Sequence, residues 1–351
     1  MKTLSSKAKN RLTGLINYLK TNKDHLVIDG DTHPTDLSRL EEPILQKYKS
    51  TSDYYQGRPI GHKDLLYGMA TSGIDMSLIW QNPAAFNYTE DKSQNFEKLL
   101  QANYDISAFA TDFPEKFIPA GWTDPKSLGL DNALKMCEIS VMDLGFPIVK
   151  MNPAQNAFPI DSDFVFTTVE KIIGLGATPA FHFGGDSPYT PAEGLERIIS
   201  TFPEHPFIGV HMGGGGSHYV EGDPTYLKAR ELGLKYPNLF YILSAKRDTH
   251  IESDLILYTE KGKPFMENLA WGSDAPYGLQ SWNIGGIKNL FKILVNRNTN
   301  IQKENGRKPP LFTKDVIQNY LGTNLANLVI KSCETILLKN EELIERNQKT
   351  H

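Results

Sequence analysis

The chain has 351 residues, 40% hydrophobic and 22% charged, a composition that supports a large buried core and excludes an intrinsically disordered chain. Thirty-seven basic residues against 41 acidic ones leave a net charge of -4, so no positive field favours nucleic acid or an anionic membrane, and a small-molecule partner is expected. The two cysteines, Cys137 and Cys333, lie far apart in helical patterns. They offer no disulfide framework and no thiolate metal site, and read as core residues of a reducing compartment.

Met1 to Lys23 is basic and mildly amphipathic, without an apolar run long enough for a secretory segment or a membrane span. Residues 1–25 are therefore expected to form a helical extension, and the protein to reside in the cytoplasm. From residue 26 onward, short apolar runs alternate with helical patterns, the signature of βα units around a parallel sheet. Eight runs qualify as strands: Leu26 to Ile28, Met76 to Trp80, Phe117 to Gly121, Pro147 to Met151, Thr178 to Phe183, Phe207 to His211, Leu239 to Leu243 and Asn268 to Gly272.

Between the strands, apolar residues three and four apart mark helices over Leu128 to Leu144, Phe164 to Leu175, Leu195 to Phe202 and Leu227 to Leu234. A further helix is expected over Trp282 to Val295, then a polar loop over Asn296 to Pro310, a long helical region from Thr313, and a charged tail over 339–351 that frays. Eight strands alternating with helices predict a single-domain (β/α)8 barrel over 26–338. The long connections 34–73 and 81–116 are candidate binding loops.

In such a barrel the C-terminal strand ends share one face, and here those ends are polar. Asp31 and His33 follow strand one two residues apart, so the strand period turns both to the same face. His182 ends strand five, His211 ends strand six, and Asp274 follows strand eight. A lone buried histidine is more often a hydrogen-bonded core residue than a ligand. Of nine histidines, however, His33, His182 and His211 all stand where strands stop, and the other six do not.

Two imidazoles and two carboxylates suit one divalent ion, zinc first and manganese as the alternative. An ion there would lower the pKa of a water, with His211 as proton shuttle and Asp274 as base. Lys150 at the end of strand four is expected to bind substrate, and Trp80 and Trp122 to form aromatic walls. Arg247 after strand seven is expected to fork onto a substrate carboxylate. Asp29 is expected one layer below the metal, orienting a ligand or closing a hydrogen bond within the barrel. The run Gly213 to Gly216 lacks the lysine of a P-loop and reads as a backbone nest beside His211.

Several segments resemble the amidohydrolase-related family, the branch that includes aminocarboxymuconate semialdehyde decarboxylase and related decarboxylases and lactone hydrolases. Ile28-Asp29-Gly30-Asp31-Thr32-His33 is similar to the family's Asp-x-His-x-His strand, and Val210-His211-Met212-Gly213-Gly214 to its His-x-Gly-Gly segment. Gly272-Ser273-Asp274-Ala275-Pro276 resembles its Gly-Ser-Asp-x-Pro ending, and Tyr320-Leu321-Gly322-Thr323-Asn324 the start of its C-terminal helix.

The resemblance implies a metal on Asp31, His33, His182 and Asp274, with His211 in the catalytic position. Where the family has His or Glu this chain has Asp31, a harder donor that moves the metal preference toward manganese. Two reactions are consistent with these groups: hydrolysis of a small amide, lactone or ester, placed first, and nonoxidative decarboxylation of an aromatic or unsaturated acid. A noncatalytic binder is disfavoured because no ligand position is lost. Barrel enzymes often pair through helices or inserted loops, so a homodimer is the expected assembly.

Overall fold

The structure, a computed structural model, describes residues 2–50, 57–184, 188–214, 224–245, 248–305 and 311–349. Nine parallel strands appear among these residues: β1 (Ile28–Thr32), β2 (Met76–Ile79), β3 (Phe117–Pro119), β4 (Gly121–Trp122), β5 (Ile148–Met151), β6 (Thr178–Gly184), β7 (Phe207–Gly213), β8 (Leu239–Leu243) and β9 (Leu269–Trp271). β3 and β4 are one barrel strand interrupted at Ala120, whose N–H still reaches the Ile79 carbonyl at 2.9 Å. The strands pair in chain order. The Thr32–Ala275 bridge and the 2.7 Å bond from His33 N–H to the Ala275 carbonyl tie the last strand to the first. The result is the expected (β/α)8 barrel.

The first strand lies later than the apolar run suggested, over Ile28–Thr32 instead of Leu26 to Ile28. Its polar residues are all buried, because the interior of the barrel mouth supplies hydrogen-bond partners that make Asp-Gly-Asp-Thr tolerable as strand. Gly30 is required there. A Cβ at this position would stand 2.8 Å from the Trp271 carbonyl oxygen of β9, so the strands approach only where the side chain is absent.

Helices cover the outside, including Lys92–Asp112, Asp163–Leu175, Ala192–Thr201 and Pro224–Lys235. Asp91 caps the first of these by accepting from Ser93 N–H and Gln94 N–H. Gly176, at φ 89°, ends the second in the left-handed conformation typical of a helix C-terminus. The expected helix over Leu128 to Leu144 is Leu130–Glu138 followed by a π-turn over Ile139–Asp143.

Two expectations near the C-terminus are corrected. The helix Gln280–Asn305 continues through most of the stretch expected to be a polar loop, since that stretch contains no proline before Pro309 to stop it. The final helix, Asn324–Lys349, runs on through the tail expected to fray. It is tied down at the start of that stretch: Asn340 is buried and accepts from Leu4 N–H at 2.8 Å, and Lys339 donates to the Ile173 carbonyl at 2.6 Å. The N-terminal helix Ser6–Asn22 packs along this last helix, burying Ala8, Leu12, Leu15, Ile16 and Leu19. Among the described residues no helix is long and apolar enough to cross a membrane. Cys137 and Cys333 are both free and buried.

Candidate metal centre at the barrel mouth

The strand ends bring Asp31, His33 and Asp274 together, with one ligand atom of each within 4.8 Å of the others. His33 Nε2 lies 3.3 Å from Asp31 Oδ1 and 3.6 Å from Asp274 Oδ1. Its other nitrogen, Nδ1, is 2.9 Å from the Gln81 carbonyl oxygen. A carbonyl only accepts, so Nδ1 carries the proton and the Nε2 lone pair of the neutral ring faces two carboxylates. That arrangement demands a positive charge between them: a second proton on the imidazole, or a cation. Burial works against a charged His33, but the bonds to Asp274 and Asp31 raise its pKa overall.

His182 stands apart from this triad and is partly exposed. Its Nδ1 lies 3.2 Å from His211 Nε2. His211 Nδ1 in turn lies 2.9 Å from Ser244 Oγ and 3.3 Å from the Ser244 carbonyl. Ser244 Oγ is 2.7 Å from Asp31 Oδ2. Hydrogen-bond chemistry orders this chain. Asp31 is ionised and only accepts, so the Ser244 hydroxyl donates to it. Ser244 Oγ therefore accepts from His211 Nδ1–H, and His211 Nε2 accepts from His182 Nδ1–H. His182 Nε2 is left with its lone pair free, the tautomer a metal ligand needs. Burial lowers the pKa of both rings, His182 well below the usual histidine value with His211 and Lys150 adding to the effect.

Asp31 is completely buried. Burial opposes its ionisation, but the Lys150 ammonium, with His33 and His211, overrides that and holds the carboxyl well below the ordinary range. Lys150, 1% exposed, places Nζ 3.4 Å from Asp31 Oδ1, and lies 3.8 Å above the Trp80 ring and 5.1 Å from that of Trp122. Trp80 also donates its indole N–H to Asp31 Oδ1 at 2.8 Å. The two tryptophans, expected as substrate walls, are fully buried and flank both the Lys150 side chain and the His33 ring. Arg247 and the glycines Gly215 and Gly216 lie outside the described residues.

Below the cluster, Asp29 accepts from Ser273 N–H at 2.8 Å, Ser273 Oγ at 2.6 Å and Gln280 Nε2 at 2.9 Å. It thereby anchors the turn that carries Asp274. Burial pushes its pKa up to about 6 against the pull of these donors. His211, Met212 and Asp274 all have positive φ, at 77°, 45° and 59°. Strained backbone at non-glycine residues concentrates at functional sites, and here it falls at two of the strand ends that carry the cluster. Asp274, partly exposed, also borders a cavity of about 590 Å³ shared with Tyr277 and Trp282. Tyr277, unremarked in the sequence, sets its ring 5.9 Å from that of His33 and donates its hydroxyl to Asn82 Oδ1 at 2.7 Å. Its place directly after Ala275-Pro276 was the available signal.

A closed parallel barrel with buried acids and imidazoles gathered at its C-terminal strand ends defines a (β/α)8 enzyme. The chain belongs to the amidohydrolase family, whose match spans residues 28–324. No curated protein matches it. Similar solved structures include 2,6-dihydroxybenzoate decarboxylase from Rhizobium, at 14% identity and a TM-score of 0.60, covering 87% of this chain and 98% of that one. A dihydroxybenzoic acid decarboxylase from Polaromonas, with bound manganese and 2-nitroresorcinol, aligns at 14% identity and a TM-score of 0.59, covering 87% and 96%. A probable 2-pyrone-4,6-dicarboxylic acid hydrolase from Acinetobacter baumannii, with citric acid bound, aligns at 14% identity and a TM-score of 0.55, covering 86% and 98%. At these identities the likeness is one of fold.

Proposed function

We propose that the chain is a divalent-metal-dependent hydrolase of a small cyclic or carboxylate-bearing amide, lactone or ester. The observation that carries this reading is His33 Nε2 facing both the Asp31 and the Asp274 carboxylate, with Nδ1 held by the Gln81 carbonyl. Asp31, His33 and Asp274 would hold the ion, and His182 Nε2, freed by the hydrogen bond at Nδ1, would join them. Zinc leads and manganese is the alternative, because oxygen and imidazole donors suit both. The bound ion would supply an acidified water and a polarised substrate carbonyl.

The chain's own residues do the rest. Asp274 reaches both the ligand cluster and the adjoining cavity, so its carboxylate can take up a proton at the point where substrate enters. His211, through Nε2, holds the His182 ring in one tautomer, and the Ser244 hydroxyl holds His211 and Asp31. Lys150 keeps Asp31 ionised, the state a ligand requires.

A second reading, nonoxidative decarboxylation of an aromatic or unsaturated acid, is favoured by one feature. Burial lowers the pKa of Lys150 against the pull of Asp31 and Asp274; its ammonium form, on the tryptophan cage next to the ligand cluster, would suit a substrate carboxylate. The decarboxylases among the similar folds support the same reading.

Elemental analysis of protein purified without chelator tests the metal centre, beside the Asp31→Ala/His33→Ala double variant. About one zinc or manganese per chain, lost in the variant, is expected. An equal metal content in both proteins would overturn the assignment. Assays of lactone, amide and ester cleavage alongside CO2 release, with the metal found, then separate the two reactions.

A further inference from the structure

The cavity of about 590 Å³ that Asp274 borders is also walled by the helix Gln280–Asn305. Trp282, Gly286, Asn289 and Ile293 of that helix line it. They are four, three and four residues apart, so they form one stripe along the helix. Two large apolar side chains on this stripe stand in water: Trp282 is 72% exposed and Ile293 45%. The core-facing residues Ile284, Phe291 and Leu294 of the same helix are buried, so this second apolar stripe is not what holds the helix to the barrel. Large exposed apolar residues that share one concave surface mark a contact surface, unlike those scattered singly.

Gly286 stands between Trp282 and Ile293 on the stripe. Glycine is a poor choice inside a helix, because it gives up the most backbone freedom there. A Cβ at Gly286 would meet nothing within 4 Å, so no close approach of a neighbour accounts for the missing side chain. Its effect is to leave the cavity open between the two apolar residues. The volume falls within the roughly 300–1,000 Å³ of ordinary small-molecule sites.

The occupant follows from what the cavity shares with the ligand cluster. Asp274 lines the cavity and places Oδ1 3.6 Å from His33 Nε2; Tyr277 lines it and sets its ring 5.9 Å from that of His33. A molecule reacting at the cluster therefore extends into this space. We propose that the stripe is the specificity subsite of the enzyme, and that it takes an uncharged apolar arm, a chain or a ring, of the substrate whose amide, lactone or ester group lies at Asp31, His33 and Asp274. The arm packs on the Trp282 ring and passes over Gly286. This subsite rests on the metal-dependent reading above and narrows its substrate to one with an apolar substituent.

Hydroxamates chelate a divalent ion whatever chain they carry, so a series of them reads the subsite by binding alone, without turnover. The probes are acetohydroxamate, hexanohydroxamate and adipic acid monohydroxamate, the last matching the hexano chain but ending in a carboxylate. Isothermal titration calorimetry on the metal-loaded full chain is expected to show hexanohydroxamate bound about tenfold more tightly than acetohydroxamate. The adipic compound should gain nothing, because a charge placed among apolar walls loses its hydration. The gain should shrink to within about twofold in Gly286→Leu, which fills the open space with a helix-favouring residue, and in Trp282→Ala, which removes the exposed ring. Equal affinity for the acetyl and hexanoyl probes, an equal gain for the adipic compound, or a gain unchanged in either variant would overturn the subsite and leave the metal centre standing. Binding of none of the three would remove the metal centre itself, and the subsite with it.

Discussion

Replacing Ser244 by Ala tests the ordered hydrogen-bond chain at its centre. Ser244 Oγ is the close partner of Asp31 Oδ2, at 2.7 Å, whereas His211 Nδ1 is 3.9 Å from the same oxygen. The other oxygen, Oδ1, keeps Trp80, Lys150 and His33. The variant therefore removes one hydrogen bond to a buried charge, of about 1.5–3 kcal/mol.

On the His211 side the loss is smaller, because Nδ1–H can turn to the Ser244 backbone carbonyl already at 3.3 Å. Since about 1.4 kcal/mol is a factor of ten, metal retention should fall roughly 10- to 100-fold, the range seen when groups that orient metal ligands are lost. Competition for manganese or zinc against a chelator of known affinity measures this directly. Ser244→Thr, which keeps the hydroxyl, should recover most of the affinity. Metal affinity of Ser244→Ala within twofold of wild type would refute the chain as drawn.

Lys150→Met removes the buried cation while keeping an unbranched apolar chain against Trp80 and Trp122. Breaking a buried ion pair from one side costs about 3–5 kcal/mol, so denaturant unfolding in the presence of chelator should show a loss of that order; a loss under about 1 kcal/mol would contradict the pairing. Asp124, buried and accepting from Ser127 N–H at 2.7 Å, has its pKa pushed from 3.8 up to about 6 by burial. The folded protein thus holds this proton more tightly than the unfolded chain. The stabilisation is fully present below about pH 4 and is lost as pH rises through about 6. Asp124→Asn lacks this titration, so its stability relative to wild type should improve by up to roughly 3 kcal/mol between pH 4 and pH 7. A difference independent of pH would refute the burial argument.

The barrel was legible because parallel strands buried on both faces leave short apolar runs, and such runs alternate with helical patterns in this chain. His33, His182 and His211 stood out by their position at strand ends. Register was harder: β1 is built from Asp-Gly-Asp-Thr, polar residues whose partners come from strands hundreds of residues later, such as Ser273 on Asp29 and Ser244 on Asp31. No local pattern contains that information. The same holds for Lys150, legible as a strand-end lysine, whose tryptophan cage is a product of closure. The continuation of the Gln280–Asn305 helix past Val295 was not legible because a polar helical surface and a polar loop have similar composition.

Lys150 gives the barrel an internal countercharge of its own. Asp31 is neutralised by a residue of the same chain before any ion arrives, and its oxygens are already oriented by Trp80 and Ser244. On the proposed metal-dependent reading, folding and metal acquisition would be separable events: the polypeptide could complete its barrel in a metal-poor setting and be charged afterwards, and withdrawal of the ion would return it to a standby form instead of unravelling it.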